Sequence, residues 1–238
     1  MSVHGASRPI RVALVDDHQF IADMLSRALE RHPDRFEFLG NAARLADVGV
    51  LLRREPADVV LVDYSLPDGR GSDVLRIVRR HWPRARLVLF TGHAESDILH
   101  EAIAAGADGI LTKDMGMDQI LDVIERAHRG DVLLDAGTLR DLMTRPSAGA
   151  TRLAALDRLT PRERIVLEAV LAAGTTQEAA QRIQMAPATL RVHLHRASQK
   201  LGATSRLEAI SMALRAGLIR APSGNRTNAA AGGAGSRA

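Results

Sequence analysis

Five polar residues in the first half of the chain could bind and transfer a phosphoryl group. Each stands where a short apolar run ends, and they are Asp16, Asp17, Asp63, Thr91 and Lys113. Three carboxylates gathered at one place repel one another, and a divalent cation that prefers oxygen ligands, above all Mg²⁺, removes that conflict. An aspartate can then attack phosphorus as a nucleophile and form an acyl phosphate. A threonine hydroxyl and a lysine ammonium are suited to bind the phosphoryl oxygens.

Lysine is rare in this chain. Of the 32 lysines and arginines, only Lys113 and Lys200 are lysine. A chain that otherwise uses arginine and keeps lysine at two places indicates that a compact ammonium is needed there.

Strands that alternate with helices must position these polar residues. Apolar runs predict the strands, and amphipathic stretches predict the helices between them. Five such units in about 120 residues indicate an α/β domain with a doubly wound parallel sheet. Ligands of this fold bind beyond the carboxyl ends of the strands, where the polar residues stand. We expect strands at Ile10–Val15, Phe36–Leu39, Val59–Val62, Leu87–Phe90 and Gly109–Leu111, and helices at Phe20–Arg31, Leu45–Arg54, Ser72–His81, Ser96–Ala105 and Met117–His128.

Any one acid or threonine at a strand end more often caps the next helix than belongs to a site. Here the acids, the threonine and the lysine follow four different strands in chain order. The combination favours a phosphoryl-binding site over a set of isolated caps.

Four stretches of the α/β region carry a resemblance to a known family: Asp16-Asp17, Leu61–Pro67 with Gly71, Leu89–Gly92 and Ala105–Lys113. Together they resemble the receiver domain of two-component response regulators, which has a flavodoxin-like, five-stranded parallel sheet. The likeness covers about residues 10–128. It implies that Asp63 accepts a phosphoryl group from a sensor histidine kinase.

The same resemblance implies a metal site. Asp17 and Asp63 would bind Mg²⁺ directly, with the main-chain carbonyl of Ser65 as the third protein ligand. Asp16 would act through water.

The resemblance also implies a switch. Thr91 would shift toward the phosphoryl oxygens on activation, and Lys113 would pair with them. Ile110 stands where most such receivers have tyrosine or phenylalanine. An aromatic ring at this position would turn inward as Thr91 moves, whereas isoleucine can only change its packing. We therefore expect the signalling step to be weaker or to take another route.

Charge divides the chain into an acidic first part and a basic second part. Up to Arg145 there are 19 lysines and arginines against 23 acids, a net charge of −4. From Pro146 onward there are 13 against 5, a net charge of +8. The basic part therefore suits a polyanion such as nucleic acid.

Four helices are expected in the basic part. Capping boxes at Thr160–Glu163 and Thr175–Glu178 begin the first two, and the other two are expected at Pro187–Leu201 and Arg206–Arg215. Apolar residues at helical spacing predict a buried stripe on the third helix. The opposite face suits a DNA major groove, although a solvated helix would show the same pattern. The candidate DNA contacts are Arg191, Val192, His195, Arg196, Gln199 and Lys200.

Three runs of the helical region, at residues 159–167, 189–202 and 205–209, resemble the LuxR-type effector domain, a helix-turn-helix fold. With the receiver, they indicate a response regulator of the NarL/FixJ type. The resemblance implies that Arg191, Val192 and His195 read the bases of double-stranded DNA. It also implies that the last helix, Arg206–Leu214, joins two copies into a homodimer when the protein is active.

Four residues and one segment length depart from the LuxR pattern. The segment between Gly174 and Glu178 is one residue longer in the family, and Ala179 takes the place of a bulky aliphatic residue. Gln184 takes the place of a turn glycine, Ala186 of a serine or threonine cap, and His195 of a lysine. These departures weaken the expectation of strong DNA binding and leave the expected fold unchanged.

The predicted organisation has two domains. The receiver is expected at residues 9–129 and a separate all-α, four-helix domain at 159–220. Residues 130–158 are expected to form a linker with one possible helix near Thr138–Met143. Residues 1–8 and 221–238 are expected to be disordered.

The sequence thus predicts a cytoplasmic transcription regulator, with no membrane partner and no enzyme activity. The chain has no cysteine and no secretory signal, and no apolar run approaches the length of about 20 residues that a membrane helix needs. Two alternatives stay open: DNA binding that ignores phosphorylation, and action through a protein partner. A phosphatase with an aspartyl nucleophile is disfavoured, because neither Asp17 nor Asp63 is followed two residues later by a second acid.

Overall fold

The computed structural model describes residues 8–92, 96–131, 133, 159–173 and 175–220. Within these ranges the first part forms an α/β domain and the second part a helical domain. The strands are β1 (Ile10–Val15), β2 (Phe36–Ala42), β3 (Val59–Val62), β4 (Ser65–Leu66), β5 (Gly69–Arg70), β6 (Arg86–Thr91) and β7 (Gly109–Thr112). The helices are α1 (Gln19–Glu30), α2 (Val48–Leu51), α3 (Gly71–His81), α4 (Ser96–Ala104), α5 (Met117–Arg129), α6 (Pro161–Ala173), α7 (Thr176–Arg182), α8 (Pro187–Leu201) and α9 (Arg206–Arg215).

Five parallel strands form the sheet of the α/β domain, in the order β2-β1-β3-β6-β7. Every residue of the central strand β3 is fully buried, as expected when helices cover both faces of a parallel sheet. Apolar residues of α1 and α5 pack on one face, and those of α2, α3 and α4 pack on the other. This doubly wound architecture confirms the predicted fold class.

One predicted helix is much shorter in the structure. The stretch from Leu45 to Arg54 forms a 3₁₀ turn followed by the single-turn helix α2. The side chain of Asp68 accepts hydrogen bonds from the main-chain nitrogens of Leu45 at 2.7 Å and Ala46 at 3.0 Å. Asp68 lies between β4 and β5, a short antiparallel pair that the sequence pattern did not predict.

Gly71 allows the loop after β3 to close tightly. A Cβ atom at this position would lie 2.3 Å from the main-chain oxygen of Asp63. The Gly71 nitrogen donates a hydrogen bond of 2.7 Å to the carbonyl of Tyr64. A side chain at Gly71 would therefore displace the backbone that carries Asp63.

The helical domain agrees closely with the predicted helices. The third predicted helix, α8, buries Leu190, Leu194, Ala197 and Leu201 on one stripe. Gly202 ends it in the left-handed conformation, with φ of 67°. Gln184 lies in the turn before α8 with φ of 51°, a conformation that favours glycine.

The two domains are in contact. Helix α9 packs against α4, and apolar residues of both belong to one continuous cluster. The Ser205 hydroxyl donates to the carbonyl of Ala107 at 2.8 Å, and the Thr176 nitrogen donates to Asp131 at 3.0 Å. Both hydrogen bonds are buried.

Several predictions concern residues near or beyond the described ranges. The possible helix at Thr138–Met143 lies outside them, as do residues 1–7 and 221–238. Arg8, which was expected in a disordered segment, donates hydrogen bonds of 2.7 and 2.9 Å to Asp58. Leu133, placed in the predicted linker, is buried and pairs with Gly109 beside the sheet.

Among the described residues, no helix is both long enough and apolar enough to span a membrane.

Candidate functional site

The carboxyl ends of four strands deliver polar side chains to one edge of the sheet. Asp16 follows β1, Asp63 follows β3, and Thr91 ends β6, and all three are buried. Lys113 follows β7, and its main-chain nitrogen donates a hydrogen bond of 2.9 Å to the Thr91 carbonyl. Asp17 lies at the same edge with its side chain 37% exposed.

The ammonium of Lys113 lies between the two buried carboxylates. Its Nζ is 2.7 Å from Asp16 Oδ2 and 2.7 Å from Asp63 Oδ2. Burial raises the pKa of Asp63 and the nearby Asp16 carboxylate raises it further, whereas Lys113 acts in the opposite direction. With Asp17 included, three carboxylates face one ammonium, so the fully ionised cluster carries a charge of −2.

His18 is a member of this cluster that the sequence analysis did not select. Its Nδ1 lies 2.9 Å from oxygens of both Asp16 and Asp17 and 3.8 Å from Asp63 Oδ2. The sequence signal was its position directly after the aspartate pair.

The cluster has the composition of a cation site. One ligating atom from each of Asp16, Asp17, His18 and Asp63 can be chosen so that all lie within 4.8 Å of one another. Carboxylate oxygens are the ligands of hard divalent cations, and a charge of −2 matches such an ion. Ser65, the other predicted ligand, is adjacent, and its nitrogen is 3.3 Å from Asp63 Oδ1. These residues could therefore bind a metal ion.

Comparisons with known proteins match both domains. Residues 12–125 match the family described as "Response regulator receiver domain", and residues 157–213 match "Bacterial regulatory proteins, luxR family". The transcriptional regulatory protein MctR of Rhizobium johnstonii is 32% identical over 88% of this chain and 95% of its own length. The chain is a response regulator with a LuxR-type effector domain. Its family consists of transcription regulators and not of enzymes.

Other relatives agree with this assignment. The DNA-binding transcriptional activator DevR/DosR of Mycobacterium tuberculosis is 28% identical over 84% of this chain and 92% of its own length. Among solved structures, the RcsB response regulator of Salmonella typhimurium aligns with a TM-score of 0.51 at 20% identity, over 83% of this chain and 94% of that one. The structural likeness supports the fold.

The predicted switch residue Ile110 is buried in the receiver. It belongs to the same apolar cluster as residues of α4, and its nitrogen donates to the carbonyl of Leu133 at 3.2 Å. Ile110 therefore packs on the side of the sheet that faces the effector domain.

A hydrogen-bonded connection from the loop that carries Asp63 to α4 was not predicted. The Tyr64 hydroxyl donates to Glu101 Oε2 at 2.7 Å, and the Ser72 hydroxyl donates to Glu101 Oε1 at 2.7 Å. These two hydrogen bonds are the main reason that the pKa of Glu101 lies below its ordinary value. Tyr64 is the neighbour of Asp63, and Glu101 lies on α4, so the bond joins the loop after β3 to the helix that contacts α9.

Five of the six predicted DNA contacts are exposed on α8, the helix predicted to read DNA. They are Arg191, Val192, His195, Arg196 and Gln199, and Val192 is 49% exposed although it is apolar. An exposed apolar side chain among cations suits contact with a thymine methyl in the major groove.

Lys200, the sixth predicted contact, binds a carboxylate within the effector domain. Its Nζ is 2.8 Å from Oε2 of Glu163, which is 3% exposed. The Thr160 nitrogen donates to the same oxygen at 2.8 Å. Burial favours a higher pKa for Glu163, but Lys200 and Thr160 outweigh it and hold the pKa below its ordinary value.

We expect Glu163→Gln to lower the free energy of unfolding of the effector domain by about 1–3 kcal/mol at neutral pH, because it removes the charge of a buried carboxylate that pairs with the partly exposed Lys200. A carboxylate with a lowered pKa stabilises the fold above its unfolded pKa, and this stability is lost as the pH falls through the folded pKa. The deficit should therefore shrink in acid. Urea unfolding followed by far-UV circular dichroism measures it.

The matched control is Glu178→Gln, which changes an exposed glutamate of α7. It should change the free energy of unfolding by less than about 0.5 kcal/mol. Equal losses for Glu163→Gln at neutral and acid pH would contradict the assigned ion pair.

Proposed function

We propose that Asp63 of this response regulator accepts a phosphoryl group from a sensor histidine kinase and that phosphorylation controls DNA binding in the cytoplasm. The observation that carries the proposal is the position of Asp63, buried beside Lys113 at the edge of the sheet. An oxygen of Asp63 attacks phosphorus, the bond to the donor histidine breaks, and the product is an acyl phosphate.

We propose Mg²⁺ as the cation of the acidic cluster. Asp17, Asp63 and the main-chain carbonyl of Ser65 would be its protein ligands, and Asp16 would act through water. A bound Mg²⁺ would neutralise charge on the phosphoryl oxygens. The charge of −2 and the oxygen-rich set of donors support this choice.

Lys113 and Thr91 have complementary tasks once the phosphoryl group is attached. Lys113 now spans Asp16 and Asp63, and the new phosphoryl oxygens offer its ammonium a stronger partner. Thr91 ends the neighbouring strand β6 and supplies a hydroxyl at the same edge. Phosphorylation therefore rearranges the charges that hold this edge together.

The contact between the domains suits a state with low DNA affinity. The outward face of α8 borders the receiver, because His195 and Gln199 line a cavity together with Arg84 and Arg86. The proposed dimer helix α9 is packed on α4. DNA would approach a face of α8 that is exposed but borders the receiver, and a second effector domain would need the surface of α9 that packs on α4. Loosening the contact between the domains would favour both.

Double-stranded DNA is the proposed target, read by Arg191, Val192 and His195, with Arg196 and Gln199 beside them. The support is the exposed basic face of α8 and the net charge of +8 in the second part of the chain. A solved RcsB structure that aligns with a TM-score of 0.50 at 20% identity is described as two RcsB dimers bound to two parallel DNAs. We propose that the active form of this chain is likewise a homodimer.

Treatment with acetyl phosphate and Mg²⁺ should add about 80 daltons, one phosphoryl group, to the intact protein. The same treatment should raise its affinity for a duplex selected from random sequences by about tenfold. Intact mass and equilibrium binding measure the two effects. Asp63→Asn should lose both, whereas the control Asp114→Asn, an exposed acid outside the cluster, should keep both.

Two outcomes would count against this function. Equal affinities with and without the donor would indicate DNA binding that ignores phosphorylation. An affinity for DNA that does not fall steeply as salt rises would favour a protein partner for the effector domain.

The Tyr64–Glu101 hydrogen bond is our proposed route from the acceptor loop to α4, given that Ile110 lacks a ring. Tyr64→Phe should keep the phosphoryl adduct, but the gain in DNA affinity on phosphorylation should fall about threefold or more, because one charge-assisted hydrogen bond is lost. Mass and DNA binding are measured on the same samples.

Arg70→Gln is the control for this route. Arg70 is exposed and lies 3.5 Å from Glu101, so its removal should leave the gain nearly unchanged. An unaltered gain in Tyr64→Phe would exclude the route.

A further inference from the structure

A cavity of about 450 Å³ lies between the receiver and the effector domain. The receiver contributes Arg79, Arg84 and Arg86 to its wall, and the effector domain contributes His195, Gln199 and Arg206. Its volume lies within the range of pockets that hold small organic ligands, about 300–1,000 Å³.

The wall of this cavity carries an excess of positive charge from both domains. Among the described residues that line it, Asp108 is the one acid. Asp108 is already occupied, since it accepts hydrogen bonds from Arg79 at 2.7 Å and from the Leu87 nitrogen at 3.0 Å. One carboxylate therefore faces several guanidinium groups.

Arg206 shows the effect of this excess most clearly. Burial lowers its pKa to about 10, and the Arg86 guanidinium contributes to the shift. Its NH1 group donates to the carbonyl of Gly130, a neutral acceptor. On the receiver side, Arg79 Nε is buried and has no hydrogen-bond partner among the described residues, whereas its two terminal nitrogens donate to main-chain carbonyls and to Asp108.

This arrangement is unexpected for a contact between an acidic half and a basic half of the chain. The first part carries a net charge of −4, yet it presents arginines to the basic effector domain at this cavity. Like charges that are brought close together repel each other. An anion in the cavity would turn this repulsion into attraction from both walls.

We propose that this cavity binds a small phosphate-bearing anion, of about mononucleotide size, which holds the two domains together and lowers DNA affinity. Guanidinium groups bind phosphate oxygens in pairs of hydrogen bonds, and four arginines line the site. A ligand that binds only the docked state shifts the equilibrium toward that state. The effect on DNA rests on the proposed function, whereas binding to the cavity does not.

Inorganic pyrophosphate is the probe for a calorimetric titration of the full chain, carried out without Mg²⁺ and without DNA. One saturable site per chain is expected. Arg84→Gln should weaken this binding about tenfold, the effect of one lost charge-assisted hydrogen bond. The control Arg80→Gln, an exposed arginine of the same helix region that does not line the cavity, should bind like wild type.

A second titration adds DNA. Pyrophosphate should lower the DNA affinity of wild type and of Arg80→Gln. For Arg84→Gln, the same decrease in DNA affinity should require a pyrophosphate concentration about tenfold higher. In the absence of pyrophosphate, the DNA affinity of Arg84→Gln should not exceed that of wild type, because the loss of one arginine reduces the repulsion that opposes docking.

Three results would overturn the proposal. They are the absence of saturable binding, equal pyrophosphate affinity in wild type and Arg84→Gln, and equal inhibition of DNA binding by pyrophosphate in these two proteins. Failure of phosphorylation at Asp63 would affect none of these readouts, so the two proposals are separable.

Discussion

The ion pairs of Lys113 with Asp16 and Asp63 are the interaction on which the receiver site depends. Two buried carboxylates at the end of adjacent strands would repel each other, and one ammonium at 2.7 Å from both holds them together. The neutralisation is incomplete, because Asp17 leaves the fully ionised cluster with a charge of −2. The charge that remains favours the binding of a cation. This remaining charge links the fold to its proposed chemistry.

The connection between the two domains follows from the same sheet. Helix α4 contacts the loop that carries Asp63, through the hydrogen bond between Tyr64 and Glu101, and it also packs against the effector helix α9. A rearrangement at Asp63 can reach α9 through packed and hydrogen-bonded groups, over a short path. The basic cavity beside this contact adds a second influence on the docked state. Phosphorylation and an anion would therefore act on one equilibrium in opposite directions.

Local patterns in the sequence predicted most of the fold. Strands β1 and β3 and helices α8 and α9 have the predicted bounds, because apolar runs buried on two faces and capped amphipathic stretches are local signals. The parts of the fold that were not predicted depend on contacts between residues that are distant in sequence. Asp68 accepts hydrogen bonds from Leu45 and Ala46, which lie 23 and 22 residues earlier, and no periodicity reports such bonds.

For the candidate sites too, residues with a local sequence signal were predicted and residues paired over long distances in sequence were not. Asp16, Asp63 and Lys113 were found because each ends a strand, and parallel strands bring their ends together. Glu101 was not predicted, because its hydrogen-bond partners Tyr64 and Ser72 lie on other structural elements. Lys200 was assigned to DNA because its place near the exposed face of α8 suggested it, whereas its partner Glu163 lies 37 residues earlier on α6. Such pairings are visible only in three dimensions.

A calorimetric titration with Mg²⁺ tests the central claim most directly, namely that the uncompensated charge of the acidic cluster creates a cation site. The account predicts one saturable site in wild type, tighter binding in Lys113→Ala, where the competing ammonium is gone, and weaker binding in Asp63→Asn. Identical titrations for the three proteins, or no saturable binding in wild type, would contradict it.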